Sequence, residues 1–142
     1  MIDEYIIDYD DYIGIGAGSV SIYKGNFFVN SFSVNKYCEI IETGNFPVIG
    51  WRRLSDKEQK YYYLLTKLFG TSIHADKFRS RFSTRIERAL GLELLALRAL
   101  RMIEGNKNIQ LTRRGFYPIS VMMREFFTAL NNLREVYIEK QM

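Results

Sequence analysis

Apolar residues recur every three or four positions through the second half of the chain, which is the spacing of amphipathic helices. The pattern predicts a helix from Ser55 to Gly70, a shorter helix over 74–82 and a third over 84–97. Met102-Ile103 and Ile109–Leu111 then flank Gly105–Asn108, a connection suited to a β-hairpin. The final segment predicts a long helix with one apolar seam, formed by Phe116, Ile119, Met123, Phe126, Leu130, Leu133 and Tyr137.

Helix starts in this half are marked by two capping boxes. Ser55 with Glu58, and Thr84 with Glu87, have the spacing in which a hydroxyl and a carboxylate cap a first turn reciprocally. His74 has no second ligand or triad partner at a recognisable spacing, so we interpret it as a helix-start residue. Three short helices followed by a hairpin is the order of a winged helix-turn-helix.

The first half of the chain begins with the alternation of apolar and polar residues that is typical of β-strands. Val20 and Ile22 alternate with Ser19 and Ser21, which indicates a strand, and Gly25-Asn26 indicates a hairpin turn into a second strand. A helix is expected from Ser33 to Gly44 with Cys38 as a buried structural thiol on its apolar stripe, and residues 46–51 are expected to form a linker. We therefore predict an α+β protein with an N-terminal β-hairpin segment (1–50), then a winged-helix-like helical domain with a long C-terminal helix (51–142).

Composition narrows the class of protein. At 142 residues, 47% of them hydrophobic, the chain is large enough for a packed core and is not typical of disorder. One cysteine excludes an internal disulfide and a cysteine-rich metal site. No apolar run approaches the roughly 20 residues that span a bilayer, and the acidic N-terminus is unlike a signal peptide. We expect a cytoplasmic protein without membrane contact.

Charge is distributed unevenly. The first twelve residues carry five acids, so the net charge of +4 leaves +9 on the remainder. A solvated helical face is the ordinary cause of such a balance, and a nucleic-acid surface is the alternative. The cations that such a surface would use are Arg85, Arg88, Arg98, Arg101, Lys107, Arg113 and Arg114. Glu87 and Glu93 interrupt them. The third predicted helix, over 84–97, would be the recognition helix, and it lacks the Asn or Gln that reads adenine.

A glycine-rich stretch in the first half is open to more than one interpretation. Gly14, Gly16 and Gly18 lie between a short apolar run and the first predicted strand. A dinucleotide-binding fingerprint is disfavoured, because Ser19 stands where a third glycine is expected and a strand follows where a helix is needed. A tight turn between two strands remains open.

The third interpretation is a family resemblance. Ile13-Gly14-Ile15-Gly16-Ala17-Gly18-Ser19, followed by Ser21, Gly25 and Asn30, resembles the last barrel strand and hairpin of the oxygen-independent coproporphyrinogen III oxidase (HemN-like) radical-SAM family. Leu111-Thr112-Arg113-Arg114-Gly115 resembles that family's Leu-Thr-x-x-Gly element, and a long terminal helix follows. The resemblance covers essentially residues 12 to 135.

The resemblance implies a role in haem metabolism. A complete relative would use S-adenosylmethionine and a [4Fe–4S] cluster to act on a tetrapyrrole substrate, and its cofactor-binding positions would be Gly14, Gly16, Ala17, Ser19 and Ser21, within a complete barrel. Ser19, Ser21 and Asn30 would orient the ligand or the backbone. The cluster needs three cysteines, whereas this chain has Cys38 alone, so we predict that the chain is inactive by itself and has no catalytic or metal-binding residue.

The chain is therefore interpreted as a C-terminal region expressed separately or truncated naturally. Its expected partners are the barrel domain it lacks, or a second copy through the exposed strand edge or the C-terminal helix. A small winged-helix nucleic-acid-binding protein is the alternative function.

Overall fold

The computed structural model describes Tyr9 and residues 11–139, with side chains described for Tyr9, residues 11–129 and Asn132. The architecture is mixed α+β, with two small antiparallel sheets and a long C-terminal helix, as predicted. Contacts divide the chain into two compact units, one of 1–9 with 56–125 and one of 10–55 with 126–142. The predicted domain boundary at residue 50 stays a prediction.

One unit contains a three-stranded sheet in the order β1-β2-β3, formed by β1 (Val20–Tyr23), β2 (Asn26–Asn30) and β3 (Val48–Arg53). Tyr23 pairs with Asn26, so the hairpin loop consists of Lys24 and Gly25. Both loop residues have positive φ, 48° and 73°, which is the geometry of a type I′ turn. The predicted hairpin is confirmed, and its turn lies one residue earlier than Gly25-Asn26.

The third strand corrects the sequence interpretation of residues 46–51 as a linker. Val48–Arg53 pairs antiparallel with β2, with Phe28 opposite Trp51 and Val29 opposite Gly50. A register shift between Val29 and Asn30 marks a bulge. Pro47 obscured this strand in the sequence, but it lies just before the strand begins, where a missing N–H costs no ladder hydrogen bond.

Helix α1 (Val34–Glu42) connects β2 to β3. Its N-cap is Ser33, whose hydroxyl accepts a hydrogen bond from the Lys36 N–H at 3.4 Å. None of its residues is buried, and the thiol of Cys38 is exposed. The helix prediction is confirmed, whereas the expectation of a buried structural cysteine is wrong: helical spacing defines a stripe but does not say whether anything covers it.

The other unit begins with helix α2 (Asp56–Phe69), then strand β4 (Ser72–His74) and helix α3 (Ala75–Phe82). Short helices α4 (Ile86–Ala89) and α5 (Gly91–Ala99) follow, then strands β5 (Ile103–Glu104) and β6 (Asn108–Leu111). The sheet order is β4-β6-β5, so the predicted hairpin also pairs with a strand that the sequence pattern did not reveal. His74 is the N-cap of α3 and is exposed, in agreement with its interpretation as a helix-start residue.

The core of this unit is apolar and fully enclosed. Ile73 on β4 and Ile109 on β6 pair across the sheet with no exposed surface, and Phe78 of α3 is equally buried. Tyr63 contacts Phe78 edge-on, with ring centroids 5.4 Å apart. Tyr9 adds a further ring, 5.1 Å from that of Tyr63. Burial of these side chains is the main stabilisation of the unit.

The helix predicted over 84–97 is two helices. Leu90 has φ −134° and ψ 35°, outside the helical range, and separates α4 from α5. The N-cap of α4 is Arg85, so the predicted capping box of Thr84 with Glu87 is wrong. The break buries Ile86, Leu90 and Leu94 together, and Gly91 immediately after it weakens a continuous helix by about 1 kcal/mol relative to alanine.

Helix α6 (Arg113–Glu139) is the predicted long helix. Ile119 and Met123 are buried, but Phe116 at the start of the predicted seam is 58% exposed. Pro118 is the sixth residue of the helix, close to its first turn. The seam positions Leu130, Leu133 and Tyr137 lie outside the described side chains. Within the described part of the chain, no helix is both long and apolar enough to cross a membrane.

Candidate functional site

The glycine-rich stretch is a loop anchored at both ends. Tyr12 and Ile22 form an isolated antiparallel bridge, in which the N–H of each donates to the carbonyl of the other at 2.8 and 3.0 Å. At the far end the N–H of Gly18 donates to the Ser31 carbonyl at 2.8 Å. Residues 13–18 therefore leave the sheet after Tyr12 and return to it at β1, and we call this segment the glycine loop.

Its glycines are required for two different reasons. At Gly14 a Cβ would overlap the carbonyl oxygen of Val20, so the backbone passes too close for any side chain. At Gly16 the surrounding space is open, but φ is +107°. Gly18 combines a φ of +71° with a neighbouring Phe32 ring atom that would lie 3.1 Å from a Cβ. L-residues rarely adopt these conformations, so the spacing reflects backbone geometry.

The polar residues around the loop bind its backbone. The Gly14 N–H donates to the Ser21 hydroxyl at 3.1 Å, and the Ser19 hydroxyl donates to the Gly16 carbonyl at 2.8 Å. The Asn30 side-chain amide lies 2.9 Å from the Ser19 hydroxyl and 3.3 Å from the Gly14 carbonyl. Ser21 and Asn30 are buried. The structure thus brings together three residues that the sequence placed around this loop, and uses their polar groups to hold it.

Tyr37 is a further contributor that sequence reasoning did not select. Its hydroxyl accepts a hydrogen bond from the Gly16 N–H at 3.1 Å, which ties α1 to the loop. It lies 21 positions from Gly16 along the chain, so only the folded structure brings the two together. A tyrosine one turn into a helix gives no local signal for this contact.

The outer surface of the loop is apolar. Ile13 is 70% exposed and Ile15 is 90% exposed, and Ala17 is also exposed. These are the residues that the sequence placed at the end of a strand. Beyond Tyr12 they form no strand in the structure, and β1 is an outer strand of its sheet. Large aliphatic side chains in water at a sheet edge favour association with another apolar surface.

Aromatic side chains share the sheet face that Ser21 occupies. Phe28 is opposite Ser21, and Trp51 is opposite Phe28, so the three side chains share that face. Trp51 is 67% exposed. Lys24 lies over the ring of Tyr23, 5.0 Å from its centroid.

The loop and its surroundings show no metal-binding group among the described residues. Within the part of the chain that the structure describes, no group of three or more His, Cys, Asp or Glu side chains converges to hold a metal. A [4Fe–4S] cluster needs several thiolates, and Cys38 is the single cysteine of the chain, so the cluster does not fit these residues. The loop opens into β1 and not into a helix, so the dinucleotide-phosphate interpretation has no helix N-terminus to use.

Two of the cations that the nucleic-acid alternative would use have partners within the chain. Arg98 donates to the Gly105 carbonyl at 3.1 Å, and Arg85 lies 3.7 Å from Glu87. Glu93 accepts a hydrogen bond from the Tyr61 hydroxyl at 2.7 Å, which holds the pKa of that carboxyl below its ordinary value. Sequence reasoning overlooked the leucines of the expected recognition helix: Leu92 is 81% exposed and Leu95 is 64% exposed. An apolar residue on every side of α5 was the signal for them.

The element matched to Leu-Thr-x-x-Gly is structural. The Thr112 hydroxyl lies 2.8 Å from the Arg101 carbonyl and accepts from the Gly115 N–H at 3.2 Å, so it caps the start of α6. A Cβ at Gly115 would overlap the Met102 carbonyl oxygen. The motif therefore fixes α6 against the turn that follows α5.

Comparison with known proteins finds a similar fold among the solved structures. No protein-family model matches the sequence, and no curated protein matches it. Among solved structures, coproporphyrinogen III oxidase (HemN) from Escherichia coli, described as a radical SAM enzyme, matches with a TM-score of 0.61 at 15% identity. The match covers 78% of this chain and 27% of the enzyme, so the chain spans about a quarter of the enzyme's length.

The chain has a HemN-like fold. The likeness is one of fold, because 15% identity carries no residue-level assignment. The five loop residues expected to contact a cofactor in a complete barrel, Gly14, Gly16, Ala17, Ser19 and Ser21, stay a prediction.

Proposed function

We propose that this chain acts as a HemN-C-like accessory domain of a radical-SAM protein of haem metabolism, non-catalytic by itself. In this role the sheet unit completes or abuts a barrel that carries the three-cysteine motif. That barrel would supply the [4Fe–4S] cluster and S-adenosylmethionine, and the substrate would be a tetrapyrrole of the coproporphyrinogen class.

The observation that carries the proposal is the glycine loop. Its polar side chains, Ser19, Ser21 and Asn30, hold the backbone from inside, while Ile13 and Ile15 project outward. A ligand-binding loop would be expected to direct polar groups to the ligand. An apolar outer surface beside an outer strand instead suits a protein partner that covers it.

The fold comparison supports the same proposal from a different direction. The matched region is a minor part of a longer enzyme, so this fold is known to occur as one part of a larger protein. The sequence contains one cysteine, and the described residues offer no metal-binding group, so the radical chemistry would have to come from another part.

In this role the loop residues would contribute to a site only when the barrel is bound. Gly16 and Ala17 leave the outer backbone of the loop accessible, since no atom lies within 4 Å of a Cβ built on Gly16. A barrel mouth placed there would meet the open backbone at Gly16 together with the exposed side chains of Ile13 and Ile15. Ser19 and Ser21 hold that backbone through their hydroxyls, and in the complete barrel they would stand beside the ligand together with it.

Pairwise co-expression tests the proposal. The full chain carrying an affinity tag is expressed with each three-cysteine radical-SAM protein encoded in the same genome, and anaerobic co-purification and iron content are measured. We expect one such protein to co-purify with near-stoichiometric amounts of the chain. Substitution of Ile13→Asp together with Ile15→Asp should abolish co-purification, because each places a charge in an apolar contact.

Ile41→Asp is the matched control, since Ile41 is an exposed aliphatic residue of α1 in the same unit, 47% exposed. It should leave the complex intact. The proposal fails if no radical-SAM protein binds the wild-type chain, or if the double Ile13 and Ile15 variant binds as well as the wild type.

The nucleic-acid alternative is not supported by the outward face of the expected recognition helix. Base edges are read by hydrogen-bonding side chains, whereas α5 exposes Leu92 and Leu95. No observation on the described surface favours duplex binding over a protein contact.

A further inference from the structure

Helix α5 has two apolar faces, and the core of its unit uses one of them. Leu94 is buried on the inner face. The outer face carries Leu92, 81% exposed, and Leu95, 64% exposed, followed by exposed Ala96 and Ala99. These four positions are i, i+3, i+4 and i+7, so they form one continuous stripe, which we call the α5 stripe. Leu100, 60% exposed, extends it past the helix end.

The shape of the stripe suits another helix. Helix α5 has nine residues and is about 13 Å long, so the stripe can contact roughly two and a half turns of a partner helix. Leu92 and Leu95 project, whereas Ala96 and Ala99 are small and leave a depression beside them. Side chains of a second helix pack into such depressions between larger residues. An apolar helix face of this kind is recognised by leucine-sized side chains at spacings of three and four.

The charge around the stripe selects the partner. Two acids lie close to it: Glu87, which is 3.7 Å from Arg85, and Glu93, which accepts from the neutral Tyr61 hydroxyl and keeps its negative charge. Arg88 and Arg101 are exposed cations before and after the helix. The Thr112 hydroxyl bonded to the Arg101 carbonyl brings the start of α6 to the same end, with exposed Arg113 and Arg114. These four exposed arginines outnumber Glu87 and Glu93, so the border of the stripe is predominantly positive.

We propose that the α5 stripe is a docking site for an amphipathic helix of a partner protein whose apolar face is flanked by Asp and Glu. A second copy of this chain is disfavoured, because pairing two stripes would oppose like charges. An anionic bilayer is disfavoured because interfacial helices insert bulky or aromatic residues, whereas half of this stripe is alanine. The site is separate from the glycine loop and does not depend on the proposed accessory role.

A peptide pair tests the proposal on the full-length chain. The probe is a fluorescein-labelled peptide of about 20 residues, long enough to be helical, with leucines at spacings of three and four and glutamates on both flanks. The control peptide has the same leucines and lysine flanks. Fluorescence anisotropy measures binding, and amide chemical shifts locate it. We expect micromolar binding of the acidic peptide, with shifts concentrated in residues 91–101.

Two variants localise the effect. Leu95→Gln should weaken binding at least about tenfold, because it removes one leucine-sized contact. Met122→Gln, at an apolar residue of α6 that is 52% exposed, should leave binding unchanged. The variants with Asp at Ile13 and Ile15 should bind the peptide normally, so a failure here is distinguishable from failure of the proposed accessory role.

Four results would overturn the proposal. The lysine-flanked peptide binds as tightly as the acidic one, or Leu95→Gln leaves acidic-peptide binding unchanged. Alternatively, the chain self-associates and Leu95→Gln abolishes the self-association, or it sediments with phosphatidylserine vesicles in a Leu95-dependent manner. Each of the last two would assign the stripe to a different occupant.

Discussion

The side-chain amide of Asn30 lies 2.9 Å from the hydroxyl of Ser19, and that hydroxyl donates to the Gly16 carbonyl at 2.8 Å. Asn30 also lies within hydrogen-bonding distance of the Gly14 carbonyl, at 3.3 Å. One buried amide on β2 therefore holds the glycine loop at the Gly14 and Gly16 carbonyls, and it reaches Gly16 both directly, at 3.4 Å, and through Ser19. A loop so attached is part of the folded unit and not a free appendage.

Asn30→Ala should loosen this loop. The substitution removes the Asn30 donor from the Gly14 carbonyl and from the Ser19 hydroxyl, both partly buried, which costs about 1–3 kcal/mol. Denaturant unfolding should show that loss, and amide hydrogen exchange should accelerate at Gly16 and Gly18. Asn45→Ala is the control, because the exposed Asn45 amide donates to the Thr43 hydroxyl and binds no buried group. Equal exchange at the loop in both variants would contradict the anchoring role of Asn30.

Gly115→Ala should destabilise the helical unit. A Cβ there would overlap the Met102 carbonyl oxygen and lie 2.8 Å from the Leu111 Cδ1 atom. Relief requires backbone movement between α6 and the turn after α5, at a cost of about 1–3 kcal/mol. Thermal and denaturant unfolding measure the loss.

Gly91→Ala provides the matched comparison. Nothing lies within 4 Å of a Cβ built at Gly91, and the residue is the first of α5. It should be neutral or stabilise the fold by up to about 1 kcal/mol, since alanine restricts the unfolded chain. A Gly115→Ala protein as stable as the Gly91→Ala protein would show that the close approach to Met102 is not a constraint.

Most helices and strands of this fold could be predicted from the sequence, whereas fewer of the contacts between them could. The helix after Ser33 and the hairpin around Gly105 carry local signals, a cap and a turn, that neighbours do not override. Strand β4 has only three residues, and its pairing with β6 depends on contacts more than thirty positions apart. Periodicity could not detect it.

The candidate site illustrates the same limit. Glycine spacing indicated an unusual backbone at Gly14 to Gly18, and the loop has one. Spacing could not indicate that Tyr37 would reach the Gly16 N–H, nor that Ser19 and Ser21 would turn toward the loop. Exposure was equally hidden, because the stripes of α1 and α5 have helical periodicity whether or not anything covers them.

The exposed thiol of Cys38 should react without unfolding. Cys38 lies on α1, which contains no buried residue. A thiol-specific chromogenic reagent should therefore label the native chain stoichiometrically, at a rate close to that of the denatured chain. Cys38→Ser should leave the free energy of unfolding within about 0.5 kcal/mol of the wild type. Protection of the native thiol would indicate that a second copy or another part of the chain covers α1.

Ionisation of the Tyr63 phenol should lower the free energy of unfolding at alkaline pH. Burial raises the pKa of its phenol above the ordinary value of 10.0, and the nearby charge of Arg81 opposes part of that rise. The folded state thus retains a proton that the unfolded chain releases first. The stabilisation is fully present below the unfolded-state pKa, and it is lost as the pH rises through the folded-state pKa.

Tyr63→Phe should flatten this dependence. With no ionisable phenol at this position, the free energy of unfolding should decline less between pH 9 and about 11 than in the wild type. Chemical denaturation at several pH values measures the slope. Tyr117→Phe is the control, because it removes the same hydroxyl from a side chain that is 77% exposed. Identical slopes for wild type and Tyr63→Phe would mean that the Tyr63 phenol is solvated in the folded chain, against its 3% exposure.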